Sequence, residues 1–109
     1  MPELTSAQIA ILKRLIERGF APAAFPLYPS SIGIRRGMFA ALLEVARDGG
    51  LRKLGEPYFL LDGNLSVCVE AEGRRWFVWK SRRVEATAEL LEERKRFAGE
   101  LTELLPPEA

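Results

Sequence analysis

Apolar residues that recur at every second position through the second half of the chain restrict its fold more than any other feature. This is the spacing of β-strands. Leu51-Arg52-Lys53-Leu54 and Tyr58-Phe59-Leu60-Leu61 read as short strands around a Gly55-Glu56-Pro57 turn. Asp62-Gly63 is a two-residue hairpin signal, Leu65 to Ala71 alternates, and Glu72-Gly73 turns the chain into Arg74 to Lys80. A two-residue loop at Glu72-Gly73 sets Glu70 opposite Arg75, Val69 opposite Trp76 and Val67 opposite Val78. One face of this meander then carries Leu65, Val67, Val69, Trp76 and Val78. The other carries Cys68, Phe77 and Trp79, joined by Phe59 and Leu61. Both faces are apolar, so another element has to cover the second one.

The final helix is the natural cover. It is expected from about Arg82 to Leu105, with Ser81 as N-cap and Pro106-Pro107 as its stop. Leu90, Phe97, Leu101 and Leu104 keep three-four spacing, and Arg94 interrupts the stripe. A helix of that length exceeds what a small domain needs, so these four residues are assigned to a homodimer interface.

Ahead of the strands, Thr5-Ser6-Ala7-Gln8 has the spacing of a capping box, and Leu4 and Ile9 stand where a hydrophobic staple places them. Ile9, Leu12, Leu15 and Ile16 form a stripe, and Gly19 is a left-handed stop with Phe20 folding back on Leu15. The first helix therefore runs from about Ser6 to Arg18. Pro22, Pro26 and Pro29 forbid a long helix over Ala21 to Ser31, which reads as an ordered connector with apolar Phe25, Leu27 and Tyr28. A second helix is expected next, capped by Ser30 or Ser31 and ended by Asp48-Gly49-Gly50. Met38, Phe39, Leu42, Leu43, Val45 and Ala46 form its buried face.

Composition sets the class of function. The chain has 109 residues, 48% hydrophobic and 28% charged, as in a globular domain. No apolar run reaches the length of a membrane helix, and Met1-Pro2-Glu3-Leu4 does not open a signal peptide. A single cysteine fits a reducing, cytoplasmic setting. There is no histidine, which removes His-dependent triads, His general bases and most zinc sites. No enzyme and no cofactor are expected. Twelve arginines against four lysines, with one Asn and one Gln, point to a GC-rich, thermophilic source.

The net charge is only +1, but Lys13 to Lys53 carries eight basic residues against three acidic ones. Arg74 to Arg83 carries five basic residues and no acid. Such clusters steer polyanions toward one face.

A helix, a connector, a helix ending in Arg47-Asp48-Gly49-Gly50-Leu51, and then strands is an order similar to winged helix-turn-helix domains. The resemblance rests on Ile9 to Leu12 in the first helix and Ser31 to Arg47 as recognition helix. Asp48 to Arg52 matches the exit into the wing, and Arg52 to Tyr58 the wing itself. It covers residues 5–61, and the final helix is similar in placement to a dimerising helix. The prolines of the connector stand where the family has its second helix. The resemblance implies an α+β, winged-helix-like fold with two main N-terminal helices, a small antiparallel β-meander and a long C-terminal helix. Residues 1–81 form the domain, and residues 82–109 the dimerisation or packing helix and tail. It implies a transcriptional regulator that binds duplex DNA as a dimer, through Ser30, Ser31, Arg35, Arg36, Arg47, Arg52 and Lys53.

A different class remains open: a protein-interaction module, a small adaptor or inhibitor with incidental basic patches. Trp79 separates the two classes and is read as core. Cys68, alone on a strand with no histidine to activate it, is read as a buried small hydrophobe.

Overall fold

Helix α1 (Ser6–Glu17) is the element its sequence dictates most completely. The computed structural model describes residues 4–47 and 49–105. Thr5 accepts from the Gln8 amide, and the Gln8 side chain accepts from the Thr5 amide, so the capping box closes as its spacing requires. Gln8 is buried, and its Nε2 donates to the Gly49 carbonyl at 2.7 Å, tying the cap to the turn after β3. Gly19 follows the helix at φ +92°, and the Phe20 amide bonds back to the Leu15 carbonyl.

The rest of the chain does not form a winged helix. Among the described residues it forms eight strands in two antiparallel sheets and one further helix. Strands β1 (Ala21–Ala23), β2 (Ile32–Arg36), β3 (Phe39–Val45), β4 (Leu51–Leu61) and β5 (Asn64–Leu65) are neighbours in that order in a curled five-stranded sheet. Strands β6 (Val67–Ala71), β7 (Arg74–Trp79) and β8 (Arg82–Glu85) form a second sheet. Helix α2 (Ala88–Leu104) closes the fold.

The expected recognition helix, Ser31 to Arg47, is the hairpin β2–β3, in which Arg36 faces Phe39 across a turn with Gly37 at φ +62°. The physics favours this outcome. Two glycines, Gly33 and Gly37, would each cost a helix interior about 1 kcal/mol, whereas Ile32 and Ile34 suit a strand. Phe39 to Leu43 is buried on both faces, so its apolar run is the signature of a central strand and carries no helical period.

Two shorter expectations also change. The segments around Gly55-Glu56-Pro57 are one strand, β4, whose register against β3 shifts between Ala40 and Leu42, so the turn is a bulge. Arg82 to Glu85 is strand β8, and the last helix starts at Ala88 with Thr87 as its N-cap, accepting from the Leu90 amide. Ser81 sits in the β7–β8 turn instead, after Lys80 at φ +52°. Asp48, Pro106 and Pro107, expected as helix stops, lie outside the described residues.

Both hairpin signals in the second half hold. Leu61 faces Asn64 across Asp62-Gly63, and Ala71 faces Arg74 across Glu72-Gly73, with Val69 opposite Trp76. All four turn residues have positive φ, the geometry that matches strand twist. Between β5 and β6 lies only Ser66, which is buried. Its amide and its Oγ both donate to the Phe59 carbonyl, at 3.1 and 2.7 Å, and there the chain leaves one sheet for the other.

One face of the five-stranded sheet, with α1, α2 and β7, encloses the main core. Five phenylalanines meet there. Phe59 stacks on Phe77 at 4.7 Å between centroids, and Phe39 meets both edge-on. Phe20 meets Phe97 edge-on at 5.2 Å. The opposite face carries a smaller cluster of Ala40, Leu42, Leu60 and Leu65, against which Phe25, Leu54 and Tyr58 pack.

Candidate functional site

The residues assigned to DNA contact do not converge. Strand alternation and the observed register put Arg35 and Arg52 on one face of the sheet, beside Ala40 and Glu44, and Arg36 and Lys53 on the other. Arg36 is engaged within the fold. Its guanidinium lies 4.3 Å from the Phe20 centroid and 5.8 Å from that of Phe97. It also pairs with Glu100 at 2.5 Å and donates to the Arg18 carbonyl. Arg52 pairs with Glu44. Arg47 is exposed after β3, Ser30 is exposed in the proline segment, and Ser31 is half-buried beside it.

The second basic cluster is divided in the same way. Arg74 pairs with Glu85 at 3.0 Å, and Arg82 with Asp62 at 3.1 Å. Arg83 lies over the Trp76 ring at 4.1 Å. Acids elsewhere in the chain thus meet four of the arginines whose charge stood out in the sequence, Arg36, Arg52, Arg74 and Arg82.

The residues assigned to a dimer interface serve the chain's own core. Phe97 and Leu101 are buried in it, and Leu90 and Leu104 pack against it. Cys68, read as buried, is exposed on β6, an outer strand of its sheet.

What the fold does assemble is an open aromatic cleft. The proline segment between β1 and β2 lies beside the tip of the β4–β5 hairpin and the end of β7. There Phe25, Pro26, Leu27 and Tyr28 approach Gly63, Asn64 and Trp79 around a pocket of 70 Å³. On the other side of Phe25 and Tyr28 runs a wider groove of 410 Å³, between the prolines and Ile32-Gly33. The two share these rings, so the cleft is double and its dividing wall is aromatic.

Local geometry holds that wall in place. The Tyr28 amide donates to the Phe25 carbonyl at 2.9 Å, and the Ser31 amide to the Tyr28 carbonyl at 3.1 Å. Gly33 is required beneath it: a Cβ there would stand 2.2 Å from the Ala23 carbonyl and 2.6 Å from the Phe25 ring. Phe25 thus packs on a strand whose side chain is missing at the point of contact.

The cleft is apolar, with polar tips. Leu27 is 69% exposed and Tyr28 40%. Trp79 is half-buried: its ring packs on the main core and also lines the cleft, so it is only partly the core residue expected. Lys80 Nζ lies 5.6 Å from its centroid. Neither the Tyr28 hydroxyl nor the Trp79 indole N–H has a hydrogen-bond partner among the described residues. Tyr58 adjoins Tyr28, and its hydroxyl is pushed above the usual phenol range, first by burial and then by Tyr28.

Sequence reasoning missed this site. It marked Phe25, Leu27 and Tyr28 as apolar enough to pack, yet nothing local shows that they meet Trp79, more than fifty positions along the chain. The signal that could have found it is apolar side chains held between three prolines, which pre-shape a loop whose rings need a surface. Among the described residues no cluster of acidic, Cys or His side chains is placed to hold a metal ion, and no helix is long and apolar enough to cross a membrane. Compared with known protein families, curated proteins and solved structures, the chain matches none.

Proposed function

We propose that this chain is a non-enzymatic protein-interaction module whose aromatic cleft takes an extended, proline-bearing segment of a partner. The observation that carries this reading is the double cleft divided by Phe25 and Tyr28 and bounded by Trp79. Flat rings accept the rigid apolar ridges of a polyproline helix, which loses little entropy on docking. The indole N–H and phenol at the rim are suited to donate to the ligand's carbonyls. Titrating isotope-labelled protein with a proline decapeptide tests the reading. Saturable shifts should centre on residues 24–28, 63–65 and 79. Shifts scattered over the surface, or none, would count against it.

Contact with duplex DNA is the second reading. It is favoured by exposed Arg75 and Arg83 on neighbouring strands and exposed Lys80 in the turn between them, next to the cleft. Binding through phosphates would weaken steeply with salt, by roughly 0.9 log units per contact for each tenfold rise. Peptide binding in an apolar cleft would not.

A further inference from the structure

We propose that strand β6 pairs with β6 of a second copy of this chain, antiparallel about Val69, to make one six-stranded sheet. β6 is an outer strand, and all five of its residues, Val67 to Ala71, are exposed. It contains no proline, no lysine and no bulge, three of the devices that protect free edges.

The geometry fixes the register. Ala71 and Arg74 close a two-residue hairpin, so their backbone groups bond to each other. Alternation then turns the backbone groups of Val67, Val69 and Ala71 toward β7, and those of Cys68 and Glu70 toward the free edge. An antiparallel copy centred on Val69 sets Cys68 against Glu70 of the other copy, twice, so every outward-facing group of the strand finds a partner. Val69 faces Val69, and Val67 faces Ala71. A register centred on Cys68 would reach Ser66, whose amide and hydroxyl are already committed to Phe59.

Side chains agree with this pairing. Val67 and Val69, 55% and 40% exposed, lie on the same face as Trp76 and Val78, so the two stripes meet across the axis apolar to apolar. The only charge on the strand, Glu70, faces Arg75 within its own hairpin, so no like charges stand directly opposite. The proposal concerns a surface separate from the cleft and holds or fails independently of it.

Light scattering at high micromolar concentration should give twice 12.2 kDa. Val69→Lys, which opposes two charges on the axis, should give a folded monomer. A second measurement does not depend on that variant folding. In a Cys68→Ser background, Val69→Cys places two thiols across a non-hydrogen-bonded pair with Cα atoms about 4.5 Å apart, close enough to bridge. Diamide should convert it to a disulfide-linked dimer within minutes. The unsubstituted chain should resist, because its two Cys68 residues are offset along the strands. A monomeric parent chain, a dimer that survives Val69→Lys, or crosslinking through Cys68 in place of position 69 would each overturn the proposal.

Discussion

The molecule contains two gatherings of aromatic side chains, and they differ in closure. Phe20, Phe39, Phe59, Phe77 and Phe97 sit inside the main core, each buried, with Arg36 laid over the first and last. Phe25, Tyr28 and Trp79 line a cleft that opens to solvent, with Leu27 at their rim, and Trp79 also packs on the main core. The closed set has no polar atoms in its rings. The open set includes a phenol and an indole, which favour positions where one end of the ring is dry and the other wet. Closure makes the first set the source of stability. The second contributes less to folding and keeps its surface for a partner.

That contrast can be broken by substitution. The largest effect is expected at Phe97, which touches Phe20, Phe39 and the Arg36 guanidinium. Phe97→Ala should cost about 3–5 kcal/mol in urea unfolding. Gly33→Ala comes next. The added methyl must displace Phe25 or part β1 from β2, at a cost of about 1–3 kcal/mol, and should abolish cleft binding as well. Arg36→Ala should cost about 1–2 kcal/mol through lost packing and ring contact. Arg35→Ala, on the opposite face, should stay within about 0.5 kcal/mol. Equal effects at the two arginines would refute the structural role assigned to Arg36.

The smallest effect is on pH dependence. Tyr58 has its pKa raised in the fold, so its contribution is fully present below the unfolded value of 10.0 and is lost as pH rises through the folded one. Tyr58→Phe should therefore flatten the fall in stability above pH 10, and leave neutral-pH stability nearly unchanged. An unaltered alkaline limb would place the cause elsewhere.

The parts of the fold legible in the sequence are those decided locally. Thr5 and Gln8 are three residues apart, and the Asp62-Gly63 and Glu72-Gly73 turns fix their own strand registers. The need for a cover over Phe77 was legible too, since both faces of its strand are apolar, and α2 with β4 supplies it. The hairpin β2–β3 was not. A strand buried on both faces shows a continuous apolar run, and Phe39 to Ala46 satisfies a helical stripe equally well. The β7–β8 turn was missed because Lys80-Ser81 lacks a turn signature, so Ser81 was available as a helix cap. The charge clusters misled for a related reason. Arg36 and Glu100, or Arg82 and Asp62, are neighbours only after folding. The aromatic cleft has the same origin, because its walls come from three separate parts of the chain.

The central claim is that the open aromatic set is a binding surface. It is tested most directly by tryptophan emission in a Trp76→Phe chain, where Trp79 is the only reporter. A proline decapeptide should change that emission saturably, with half-effect between about 1 μM and 1 mM. Adding Tyr28→Ala should remove the response, with unfolding stability changed by less than about 1 kcal/mol. No saturable change in the Trp76→Phe chain, or one that survives Tyr28→Ala, would contradict the assignment of the cleft.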